Sequence, residues 1–104
     1  MIYQIVIQVD TSEENLWKSL PARLKAMRED LGECEIEVVL HGSAVKSLLQ
    51  LVKPIEQVSI IACKRALNGN HIPESFIPSF VQVVPSGLAH LVKKQADNWA
   101  YLKV

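Results

Sequence analysis

No excess of either charge is present: eleven Lys and Arg are matched by eleven Asp and Glu. That balance removes the electrostatic case for binding nucleic acid or an anionic membrane. It also leaves little like-charge repulsion to oppose self-association. Cysteine is scarce, with two in 104 residues, Cys34 and Cys63. Two thiols make no disulfide framework, and a reducing, cytosolic setting follows as the expectation. No run approaches the roughly 18 apolar residues of a membrane span, so no membrane partner is expected. The opening Met1 to Asp10 lacks a basic start, and its apolar stretch is short and interrupted. No secretory leader is therefore expected. Aromatics make up only 6%. Trp17, Trp99 and Tyr101 are not interleaved with basic residues, so they read as core or subunit contacts and not as a base-stacking platform. No Gly-x-Gly-x-x-Gly follows the first strand and no Walker-type loop occurs, so nucleotide binding finds no support. His71 and His90 show no metal-ligand spacing with either cysteine, and no metal or cofactor is expected.

What is there is a globular composition, 49% hydrophobic and 21% charged, in a chain of one-domain length spanning 1–104. Strand and helix patterns alternate from end to end. Ile2 to Val9 is apolar and β-branched, the first strand. Thr11-x-x-Glu14 reads as a capping box. Leu16, Leu20, Leu24, Met27 and Leu31 follow at helical spacing. Pro21 within them should kink or split that helix, and Gly32 closes it. Glu35 to Leu40 is the second strand. Ser43 then caps a helix with Val45, Leu48, Leu49 and Val52 on one face, stopped by Pro54. Val58 to Ala62 is short and apolar, the mark of a strand covered on both faces. Lys64 to Asn68 forms a short helix with Gly69 as its stop. Glu74 to Ser79 is irregular or a single turn. Phe80 to Val84 is the fourth strand. Pro85-Ser86-Gly87 leads into a helix bearing Leu88, Leu91, Val92 and Gln95, and Trp99 to Val104 is the last strand. Such alternation implies an α/β fold, a mostly parallel sheet with helices on both faces.

In sheets of this kind, ligands gather beyond the carboxyl ends of the strands. Those ends are Asp10, His41-Gly42-Ser43, Cys63-Lys64-Arg65 and Pro85-Ser86-Gly87. Cys63 stands out. A thiol at a helix N-terminus meets unpaired N–H groups and the positive end of the dipole. Lys64 and Arg65 add positive charge, and these influences favour the nucleophilic thiolate. The same residue also fits a small buried hydrophobe. His41 is a base or charge partner for Cys63 if strands two and three are neighbours, or else a ring bonded to a loop carbonyl. Pro85-Ser86-Gly87 fits an anion site or an ordinary N-cap. Cys34 begins its strand on the opposite rim and is expected to be inert.

Several segments resemble the DsrE/DsrF-like family, which includes the YchN-type proteins and the sulfur-relay subunits of the Tus complex. They are Val38-Val39-Leu40-His41-Gly42 with Ala44 to Leu49, Ile60-Ile61-Ala62-Cys63 with Leu67-Asn68, and Val83-Val84-Pro85-Ser86-Gly87-Leu88-Ala89-His90-Leu91. Gln95 and Trp99-Ala100-Tyr101-Leu102 also match, so the resemblance spans nearly the whole chain. It implies a three-layer α/β/α fold with a five-stranded sheet in the order 4-3-2-1-5. It implies homo-oligomers, commonly trimers or hexamers, with hetero-oligomers in some members. In the sulfur-handling members a cysteine in the loop after the third strand carries persulfide sulfur between donor and acceptor proteins, and the position that the resemblance matches to it here is Cys63.

Three functions are consistent with these features. One is a sulfur carrier or sulfurtransferase working through Cys63, with His41, Lys64, Arg65, Gly42, Ser43, Ser86 and Gly87 around it. Another is a non-catalytic structural or regulatory subunit whose Cys63 is merely tolerated. The third is a small hydrolase or transferase, which needs Cys63 and His41 within hydrogen-bond reach.

Overall fold

The computed structural model describes residues 1–51 and 53–104. Five strands, β1 (Tyr3–Val9), β2 (Cys34–Leu40), β3 (Val58–Cys63), β4 (Val81–Val84) and β5 (Ala100–Lys103), form one sheet in the order β4-β3-β2-β1-β5. Every neighbouring pair is parallel. The expected α/β architecture and strand order are therefore the observed ones. Because paired residues share a face, the register divides the side chains into two sets. Ile5, Ile7, Val9, Ile36, Val38, Leu40, Ile60 and Ala62 pack on one face. Val6, Val39, Ile61 and Val84 pack on the other. The near-continuous apolar runs of the three central strands reflect burial on both sides.

The first face carries most of the covering layer. It lies under helix α1 (Glu14–Leu31), the 3₁₀ segment Gly42–Leu49 and the short helix α2 (Lys64–Gly69), with Leu20, Leu24, Val45, Leu48 and Leu67 buried against it. Each such aliphatic side chain contributes about 1.5–3 kcal/mol by leaving water. Helix α3 (Gly87–Ala96) covers the second face through Leu91, with Trp99 beside it. Glu37 projects from β2 into that layer. Its Oε1 lies 2.7 Å from His90 Nε2 and its Oε2 lies 3.3 Å from Lys94 Nζ. Lys94 Nζ also sits 4.2 Å from the centre of the Trp99 ring, within cation–π range.

Four local expectations are corrected. Helix α1 is not split at Pro21 but continues through it. Pro21 is solvent-exposed, and the buried Leu20 and Leu24 hold the turns on either side of it. The Thr11–Glu14 capping box does not form, because the helix begins later. Thr11 Oγ1 instead accepts from the Glu13 N–H, and the Thr11 carbonyl accepts from Trp17 Nε1 at 2.8 Å. The segment after β2 is 3₁₀ and not an α-helix capped by Ser43. Bonds such as Ala44 N–H to His41 O tighten it, and three residues per turn bring Val45 and Leu48 into line over the sheet. Val52, expected on that face, lies outside the described residues. Gly69 is the last residue of α2 and not its stop; Asn70 follows it as the cap.

Candidate functional site

Beyond the carboxyl ends of β2, β3 and β4 lies a depression of about 440 Å³ lined by His41, Gly42, Ser43, Cys63, Arg65, Ala66, Gly69, Asn70, Ser86 and Leu88. Six of the residues expected on this rim line it together: His41, Gly42, Ser43, Cys63, Arg65 and Ser86. The lining holds one cation and no carboxylate.

Cys63 ends β3 and caps α2. Its Sγ accepts from the Ala66 N–H at 3.4 Å. A donor placed on sulfur strengthens as the sulfur gains negative charge. The residue is only 6% exposed, because α3 begins directly against it. A Cβ on Gly87 would lie 3.1 Å from Cys63 Cβ and 3.3 Å from His41 Cβ. Gly87 therefore does not line the depression but lets the helix start between those two side chains. Ser86 caps α3, its Oγ accepting from the Ala89 N–H at 3.2 Å. The ordinary N-cap role is thus filled.

His41 is placed by the sheet. Its N–H donates to Val9 O, extending the β1–β2 ladder by one residue. Gly42 then turns the chain with φ +57°, a conformation that a β-carbon disfavours. His41 Nε2 lies 2.6 Å from Gln8 Nε2, and the Tyr101 hydroxyl donates to Gln8 Oε1. Among the described residues no hydrogen bond joins His41 to Cys63. Ser43 donates its hydroxyl to Asp10 O at 3.3 Å. Lys64, expected beside the thiol, instead holds its Nζ 3.5 Å from Glu74 Oε1 and is not in the lining. Arg65 takes the cationic place alone. Cys34 starts β2 at the opposite end of the sheet, as its position in the strand pattern required.

Two features escaped the sequence pattern. Asn70 closes the depression by donating from Nδ2 to Gly42 O at 3.1 Å and Ala66 O at 2.7 Å. Its signal was only a polar residue after a short helix. Gln8 sits inside an apolar strand, where a polar residue on a covered face was the available clue. Among the described residues no group of three or more His, Cys, Asp or Glu is gathered as a metal centre would require. No helix among them is long and apolar enough to cross a membrane.

No protein-family model matches the chain, and no curated protein matches it in sequence. Solved structures do. A protein of unknown function, MTH1491 from Methanobacterium thermoautotrophicum, superposes with a TM-score of 0.80 and 25% identity over 98% of this chain and 99% of its own. A conserved protein of unknown function, BT1422 from Bacteroides thetaiotaomicron, gives 0.71 and 16% identity over 97% and 94%. The ychN protein from E. coli gives 0.69 and 20% identity over all of both chains. The chain thus shares, from end to end, the fold of the ychN protein.

Proposed function

We propose that this chain is a single cytoplasmic domain of the DsrE/DsrF-like kind that carries sulfur as a persulfide on Cys63. One observation carries the reading: Cys63 Sγ takes a backbone N–H at the head of α2 and opens on a depression with Arg65 and no carboxylate. The likeness to the ychN fold supports it, because the motifs around His41, Cys63 and Ser86 resemble the same family. In the loading step, Cys63 thiolate attacks the outer sulfur of a donor persulfide, R–S–SH. A new S–S bond forms at Cys63, the donor's S–S bond breaks, and R–S⁻ leaves. An acceptor thiolate then attacks the outer sulfur of Cys63–S–SH and regenerates the Cys63 thiolate. Sulfane sulfur moves at each step and no outside oxidant is needed.

Because Cys63 is nearly buried, the donor must deliver its terminal sulfur into the depression. Arg65 offers charge to the attacking Cys63 thiolate, and His41 orients it. Leu88 and Val92, 60% and 65% exposed on one side of α3 beside the depression, support assembly with further copies as a trimer or hexamer. Exposure to a low-molecular-weight persulfide, followed by mass spectrometry under non-reducing conditions, tests the reading. A gain of one sulfur atom on Cys63, and not on Cys34, is expected. No gain on Cys63 overturns it.

The burial of Cys63 favours a second reading, a non-catalytic subunit in which the thiol is packing beneath α3. On that reading Cys63→Ser leaves partner binding and cellular sulfur transfer intact. The hydrolase alternative has no such support, since His41 Nε2 faces Gln8 and Cys63 lacks a bond to the ring.

A further inference from the structure

Tyr101 on β5, Gln8 on β1 and His41 at the end of β2 form a row across three adjacent strands, on the face covered by α3. The Tyr101 hydroxyl donates to Gln8 Oε1. Gln8 Nε2 lies 2.6 Å from His41 Nε2. The two ends of an amide exchange places by a half-turn; the orientation taken here, Oε1 to Tyr101 and Nε2 to His41, sets the donor and acceptor inventory. An amide nitrogen only donates, so Nε2 of the ring must receive it on a bare lone pair. A neutral imidazole carries one ring proton, which is then on Nδ1. Asp10, the carboxylate at this end of the sheet, is held 3.1 Å from Lys103 Nζ and makes no hydrogen bond to the ring among the described residues.

We infer that Tyr101 and Gln8 are positioning residues that lock His41 in its neutral Nδ1–H tautomer, making it a hydrogen-bond donor and not a base in the Cys63 depression. The assignment of a sulfur task to that donor rests on the function proposed above. With Nε2 occupied, Nδ1–H is the ring's remaining polar group, and among the described residues it has no partner. The ring and Cys63 line the same depression. A donor there suits a sulfur anion, whether the attacking thiolate or the anionic persulfide, because a charged acceptor strengthens the bond. A free lone pair in its place would repel that anion. Arg65 works in the same sense, so the site is built for an electron-rich sulfur with no proton acceptor beside it.

Long-range ¹H–¹⁵N correlation on uniformly labelled protein, at a pH where the histidines are neutral, tests the lock. His41 should show a protonated Nδ1 and an unprotonated Nε2. Tyr101→Phe keeps the aromatic ring and removes only the hydroxyl that orients Gln8, and Gln8→Leu removes the amide. Both should return His41 toward the mixture of free neutral imidazole, in which the Nε2–H form predominates. Unchanged His90 resonances verify that α3 remains docked in both variants. Sulfur loading of Cys63 should slow by roughly 3- to 10-fold in Gln8→Leu, the worth of one hydrogen bond. A wild-type His41 protonated at Nε2, or a tautomer unmoved by both substitutions, overturns the lock even if Cys63 loads sulfur normally. A locked His41 in a protein whose Cys63 never accepts sulfur overturns the sulfur role while the tautomer assignment stands.

Discussion

Gly87, the first residue of α3, approaches Cys63 so closely that a methyl group on it would stand 3.1 Å from the cysteine's β-carbon. A helix start is thereby pressed onto the end of β3, and this contact makes the thiol nearly buried. His41 and Val39 would meet the same methyl at 3.3 and 3.4 Å. The backbone of α3 thus forms one wall behind both residues of greatest chemical interest.

Gly87→Ala should accordingly destabilise the fold by about 1–3 kcal/mol, the usual cost of adding a methylene to a filled interior. The neighbours at stake are Cβ and Cγ1 atoms fixed to strands, which have little freedom to move aside. Urea unfolding of the variant against the parent measures it. A neutral substitution would show that α3 lifts without penalty.

Pro21→Ala should stabilise the protein. Pro21 is exposed within α1, where it removes a backbone donor and crowds the previous turn, for a cost of about 3 kcal/mol in an ideal helix. Because α1 already accommodates the proline without breaking, a gain of roughly 1–2 kcal/mol is expected. The thermal midpoint should rise, and a fall would mean that Pro21 limits the unfolded chain more than it harms the helix.

The Glu37 cluster predicts unequal losses. Glu37 and His90 side chains are each 15% exposed, and Glu37 is the common partner of His90 and Lys94. Glu37→Ala leaves the Lys94 ammonium and the His90 ring facing the sheet without their shared acceptor and should cost about 2–3 kcal/mol. His90→Ala leaves Glu37 paired with Lys94 and should cost about 1 kcal/mol. Chemical denaturation of both single variants and the double variant gives the coupling. Equal costs would refute the shared-carboxylate arrangement.

Asp10 provides a pH test. The Lys103 ammonium, through its hydrogen bond, holds the Asp10 carboxyl below its ordinary value of 3.8. A carboxyl lowered by folding binds fewer protons folded than unfolded. Its contribution is therefore present above pH 3.8 and is lost as pH falls through the folded-state value. Lys103→Met should move the Asp10 titration, followed by carboxyl ¹³C shifts, up toward 3.8 and flatten the acid limb of the stability curve. A midpoint unaffected by the substitution would remove Lys103 as the cause. Both side chains are substantially exposed, so added salt should shrink the effect.

Much of the architecture was legible in the residues. Ile60-Ile61-Ala62-Cys63 is apolar without alternation because helices cover both faces of β3, and that pattern survives in any sequence whose strand is buried twice. The strand ends located Cys63, His41 and Ser86 on one rim for the same local reason. Local patterns misled where tertiary contacts outweighed propensity. Pro21 remains helical because Leu20 and Leu24 anchor α1. Ser43 gives its hydroxyl to Asp10 O, a residue 33 positions away, instead of capping a helix. Lys64 and Arg65 are adjacent in sequence, yet one turns to Glu74 and the other to the depression. Their divergence follows from the angular step of the helix, about 100° per residue.

By itself the sequence determined the alternation of elements, the parallel sheet and the rim on which a thiol, an imidazole and a helix start would gather. Those outcomes depend on periodicity and on strand boundaries, which are local properties of the chain. Only the tertiary structure decided that Gly87 seals Cys63 from behind, that Arg65 and not Lys64 lines the depression with it, and that Gln8, held by Tyr101, occupies one nitrogen of His41. Each of those facts is a contact between residues distant in the chain or a choice of direction around a helix. Such contacts form only when the strands are brought into register, so no local pattern could have announced them.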